Sequence, residues 1–149
     1  MQLNISTCYG LQTILYLTRN NRVVSSAELS KNLDISQRYI LQIAKKLRDG
    51  DLVDTHSGMN GGYTLSKEAS TISVYDIVAI MEGDCSIPAC VRSCHDATLN
   101  DALSALNDYL ETYLKMLTFD KLADMETTGR LSEIISIVEA QISTMKEDA

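Results

Sequence analysis

Two short helices set back to back by their capping residues constrain this fold more than any other feature. Ser25 stands three residues before Glu28, the spacing at which a serine hydroxyl caps a helix and a glutamate returns the bond in a capping box. Ala27, Leu29 and Leu33 then supply a short apolar face. Asp34 comes next as the turn residue, because aspartate tolerates the left-handed conformation. Ser36 opens the second helix, with Ile35 and Ile40 at hydrophobic-staple positions. Ile40, Ile43, Ala44 and Leu47 face inward as far as about Arg48, and Gly50 closes the helix. The reach between the two serines leaves room for little besides a helix-turn-helix.

The next stretch of chain narrows the motif. Leu52–Thr55 and Tyr63–Leu65 are short strand-like runs, and between them lies a glycine-rich loop from His56 to Gly62. A helix-turn-helix with a hairpin behind it is a winged helix-turn-helix. A helix over residues 3–19 precedes it. After it, Ser73 and Asp76 spell a second capping box for a helix whose apolar side is Ile77, Ile80 and Met81, with Gly83 at its end.

From about Thr98 a long helix begins. Leu99, Leu103, Leu106, Leu110, Tyr113 and Leu117 recur at heptad spacing, which reads as a dimerisation seam. Thr118 is expected to cap a short helix from Phe119 to Met125, and Leu131–Met145 forms a last one. The fold class is thus mainly α. A winged helix-turn-helix domain over 1–82 leads into a cysteine-rich loop over 83–97. Dimerisation helices occupy 98–149: the long one and a further C-terminal helix.

Charge and thiols then bear on function. The net charge of −7 argues against a polyanion partner only on average. Residues 1–67 carry eight Lys/Arg against five Asp/Glu, and residues 68–149 carry five against fifteen. Phosphate binding needs positive charge only where the duplex is touched. On the second helix of the motif, Gln37, Arg38 and Gln42 are placed to read bases. Lys45 and Lys46 are placed to hold phosphates, and Ser36 to donate to one. Tyr39 belongs to the same face, and the wing adds His56, Ser57 and Asn60. The expected partner is double-stranded DNA.

Three cysteines, Cys85, Cys90 and Cys94, fall within ten residues, and the fourth, Cys8, lies in the first helix. No apolar run approaches the roughly 20 residues of a membrane helix, and the N-terminus lacks a signal-peptide pattern. The expected location is the cytoplasm, where clustered cysteines favour metal or redox chemistry over a structural disulfide. Iron–sulfur, zinc and a redox dithiol helped by Arg92 all fit three thiols. Nothing supplies a substrate-pocket motif, so no enzyme is expected.

These residues resemble the Rrf-two family of bacterial winged-helix regulators, which includes IscR-like and NsrR-like repressors. The resemblance rests on Met1-Gln2-Leu3 with Tyr9-Gly10-Leu11, Ile35–Gln42, Leu47–Val53, Gly58–Leu65, Ile72–Ile77 and Leu117–Leu122. It covers about residues 1–125. It implies a homodimer on a palindromic operator, with the long helices crossing at the interface. It also implies a [2Fe–2S] or [4Fe–4S] cluster on Cys85, Cys90 and Cys94. The position matching a ligand supplied by the partner subunit's first helix is Cys8, and His95 is the alternative fourth ligand. Three departures stand out. The cysteine spacing is tighter than in the best-known cluster-binding members. Ser57 stands where basic residues are common, and Leu41 replaces a polar reader, so the operator sequence is not transferable. A metal-free regulator controlled by a partner protein or metabolite is the alternative reading.

Overall fold

The computed structural model describes residues 3–83 and 96–125. Helix α1 (Ile5–Asn20) buries Ile14 and Leu17 and closes on Asn21, whose left-handed backbone returns its N–H to the Leu17 carbonyl. Helix α2 (Ser26–Leu33) starts as its sequence dictates, with the Ser25 hydroxyl accepting the Glu28 N–H at 3.1 Å. The expected reciprocal half of that box is replaced by another bond set. The Glu28 carboxylate accepts from Arg22 at 3.0 and 2.5 Å and from the Tyr16 hydroxyl at 2.8 Å. A charge-assisted guanidinium fork outcompetes a single backbone N–H. Ala27, expected in the core, is exposed, and Leu29 is the residue α2 buries.

Asp34 takes the left-handed turn (φ 53°) and joins α2 to α3 (Gln37–Asp49). Ser36 caps α3 by accepting the Tyr39 N–H at 3.2 Å. All four inward residues, Ile40, Ile43, Ala44 and Leu47, are buried. Gly50 ends α3, but not by the left-handed route: its φ is −93°, and Asp51 takes the positive angle instead (φ 56°). Glycine is suited here by space, since a Cβ would sit 2.4 Å from the tip of Ile80.

Strands β1 (Val53–His56) and β2 (Gly62–Leu65) pair antiparallel, Val53 opposite Leu65 and His56 opposite Gly62. Pairing therefore reaches one residue closer to the tip on each strand than sequence alone suggests. A third chain segment joins them: Val24 and Tyr63 exchange both backbone hydrogen bonds, at 3.0 and 2.8 Å. This approach requires Gly62, because a Cβ there would lie 2.2 Å from the Val24 carbonyl oxygen.

A 3-10 turn at Ala69–Thr71 leads to α4 (Val74–Glu82), whose capping box is complete in both halves. Gly83 ends α4 in the left-handed region. Helix α5 (Ala97–Met116) is capped by Asp96. The chain then turns back. The Val74 N–H donates to Leu117 O at 2.8 Å and the Phe119 N–H to Ile72 O at 3.0 Å. Phe119, at the head of α6 (Phe119–Asp124), is 1% exposed within the same core as Ile14, Leu29 and Leu47. Thr118, expected as a cap, makes no capping bond through its side chain. The helix expected over Leu131–Met145 lies outside the described residues.

Candidate nucleic-acid interface and sensor site

The outward face of α3 is a direct consequence of its inward one. With residues 40, 43, 44 and 47 committed to the core, the 3.6-residue repeat turns Gln37, Arg38, Leu41, Gln42, Lys45 and Lys46 to solvent. The side chains of Arg38, Gln42 and Lys45 make no hydrogen bond or ion pair among the described residues. Their donors are available to a ligand without breaking an internal contact. Gln37 is partly committed, its amide donating to the Ser26 hydroxyl at 2.7 Å and tying the starts of α2 and α3 together. Tyr39 differs from its neighbours. It is half-buried, with its ring edge-on to Tyr9 at 5.8 Å, and holds α3 against α1. Ser36 is exposed but already spends its hydroxyl oxygen on the cap.

The wing presents one face to the core through Val53 and Tyr63, and alternation turns Asp54, His56 and Thr64 outward. His56 Nε2 lies 2.8 Å from the Thr64 hydroxyl on the diagonal of that outer face. Ser57 and Asn60 are exposed around the tip, and Met59 is fully solvated there. Helix α3 and the wing share one core, and the Val24–Tyr63 bridge ties the wing to the segment ahead of α2, so both lie on one head.

The candidate sensor residues divide differently. Cys85, Cys90, Cys94 and His95 lie outside the described residues. Cys8 lies within them as a free, half-buried thiol in the second turn of α1. Among the described residues no group of three or more His, Cys, Asp or Glu is placed to hold a metal ion.

A contact that sequence reading missed involves Thr7, the residue before Cys8. The Glu82 carboxylate accepts the Asn4 backbone N–H at 2.8 Å, the Asn4 side-chain amide at 2.6 Å, and the Thr7 hydroxyl. These donors hold its carboxyl below the usual glutamate range, the Thr7 bond foremost, with the positive field of Lys46 adding to them. The start of α1 is thereby tied to the end of α4, immediately before the cysteine-rich loop. No local pattern announces a bond across this sequence distance. An acidic residue beside the terminal glycine of a helix, where the macrodipole disfavours it, was the one available hint.

The architecture has known counterparts. The family model described as "Rrf2: Iron-dependent Transcriptional regulator" matches residues 3–125. The chain belongs to the Rrf2 family of transcriptional regulators. Among solved structures it is similar to CymR (YrzC), the global cysteine regulator of B. subtilis, at 25% identity and a TM-score of 0.77. That match covers 83% of this chain and 97% of that one. The oxidized form of Staphylococcus aureus CymR aligns at 25% identity and a TM-score of 0.72, covering 86% and 100%. T. potens IscR aligns at 25% identity and 0.68, covering 87% and 91%. The mainly helical winged-helix fold expected from sequence is thus shared with CymR and IscR. No helix among the described residues is long and apolar enough to cross a membrane.

Proposed function

We propose that this Rrf2 regulator is a homodimeric repressor whose operator binding is controlled by an iron–sulfur cluster. The observation that carries the DNA-reading part is the solvent face of α3. Gln37, Arg38 and Gln42 near its start are the base readers, with Lys45 and Lys46 on phosphates behind them. Ser36 and Tyr39 position the start of the helix. His56, Ser57 and Asn60 bring the wing against the adjoining backbone. A palindromic operator is the natural match to a two-fold dimer.

For the cluster, the donor set fits. Cys85, Cys90 and Cys94 supply three thiolates, and Cys8 of the partner subunit supplies the fourth, with His95 as the alternative; thiolates are the usual ligands of such clusters. When bound, the cluster supplies redox or nitric-oxide sensitivity, or a report of iron status. The chain's own part is mechanical. Glu82 holds the Cys8 end of α1 to the root of the cysteine-rich loop, so an ordered loop also orders the head. Metal loading is then a population shift between DNA-competent and incompetent dimers.

Protein purified without oxygen is expected to be coloured and to contain iron and sulfide, and Cys8→Ala to lose that loading. Colourless protein holding zinc or no metal would overturn the cluster and leave the DNA-reading surface standing. Lys45→Ala is expected to weaken binding to all duplexes alike and to reduce the salt slope by about 1. A second reading, a thiol-based regulator without a cluster, is favoured by the similarity to CymR, described as a global cysteine regulator and solved in an oxidized form. A metal-free regulator answering to a partner protein or metabolite is its close variant. Undiminished regulation by the triple variant Cys85→Ser, Cys90→Ser, Cys94→Ser would favour that variant over both thiol and cluster.

A further inference from the structure

Leu41 is 51% exposed at the centre of the face that α3 turns to solvent. Residues three and four apart on a helix are neighbours, so Leu41 is flanked by Gln37 and Arg38 on one side and Lys45 on the other, with Gln42 beside it. It has no share in the hydrophobic core, which α3 fills from its opposite side. It does not serve α3 as a helix cap or staple either, since Ser36 and Ile40 hold those places. A leucine in the middle of polar readers gains only when the facing surface offers an apolar group. In the major groove the apolar group a base pair presents is the C5-methyl of thymine.

We propose that Leu41 packs against the C5-methyl of a thymine and so selects an A·T pair at one position of the bound site. The amide of Gln37, one turn earlier, already donates to Ser26. Apolar contact at Leu41 therefore adds selectivity where a polar neighbour is partly spent inside the protein. The inference rests on the DNA-reading surface proposed above and adds the chemistry of a single base pair to it.

The test selects a preferred duplex from a randomised pool with the full-length protein, then replaces each thymine in turn by deoxyuridine. That exchange removes the methyl and leaves Watson–Crick pairing intact. One thymine is expected at which the exchange weakens binding about fourfold, the equivalent of burying one methyl group. Leu41→Ala is expected to erase that difference while binding unrelated duplexes within about twofold of wild type. Sequence-selective binding with no uracil-sensitive thymine overturns the inference alone, as does a uracil penalty that survives in Leu41→Ala. Loss of the parent reading is distinguishable. There the wild type selects no sequence, Lys45→Ala binds like wild type, and both proposals fall.

Discussion

Helices α3 and α5 both carry leucines on a solvent face, yet they stand on their surroundings in opposite ways. Of its 13 residues α3 sinks four into the core at 3% exposure or less. Helix α5, with 20 residues, buries only Leu114. Leu114 lies off the heptad seam, while Leu99 and Leu106 on the seam are 51% and 52% exposed and Tyr109 beside it is 45% exposed. A helix gains most of its stability from packing an amphipathic face. By that measure α3 is complete within one protomer and α5 is not. Leu103, Leu110, Tyr113 and Leu117 are partly buried, so the exposed seam positions Leu99 and Leu106 are the physical ground for the proposed dimer: two such stripes bury each other further than either buries itself.

The comparison breaks first at α3. Leu47→Ala should lower unfolding free energy by about 2–5 kcal/mol, the range for truncating a fully buried leucine, measured by urea denaturation. A loss below about 1 kcal/mol would mean α3 leans on something other than its core. Leu106→Asp is the matching change on α5. It should raise the dimer dissociation constant at least tenfold, about 1.4 kcal/mol, in sedimentation equilibrium, and leave the head folded. Unchanged association would remove the seam from the interface. Ser36→Ala should cost about 1 kcal/mol through the lost cap, read in the same denaturation experiment.

The smallest effect is a pH dependence. The Arg22 fork, and then the Tyr16 hydroxyl, hold the Glu28 carboxyl below the usual glutamate range. A depressed carboxylate pKa contributes stability above the unfolded value, and that contribution fades as pH falls through the folded one. The stability difference between wild type and Glu28→Gln should therefore be present at neutral pH. It should shrink once pH passes below about 4.3, the ordinary glutamate value. A difference that is flat with pH would mean the fork is not formed in solution.

Much of the head was legible because its signals are local. Ser25, Ser36 and Ser73 each name a helix start within three residues, and Asp34 names its turn. What escaped reading was set by distance. Nothing near Val24 announces a partner at Tyr63, and nothing near Phe119 says it will enter the core of α1 and α2. The Glu82 clasp joins residues from opposite ends of the head. Glu28 was misassigned within its own capping box because Arg22 and Tyr16 compete for it in space. Among the proposed site residues, exposure of Arg38, Gln42, Lys45 and Lys46 followed from the helical repeat. The partial burial of Tyr39 depended on Tyr9, which the repeat alone does not place.

The Val24–Tyr63 bridge carries a consequence for whatever duplex the head meets. A wing stitched to the segment ahead of α2 by two backbone hydrogen bonds resists swinging to suit the groove of the proposed duplex. On the proposed reading surface the span from α3 to the wing then acts as a gauge. Any mismatch with the spacing of the grooves is left for the DNA to absorb by bending or narrowing, and sequences differ in how readily they do so. If the head meets DNA as proposed, it is expected to discriminate by stiffness at base pairs it never touches.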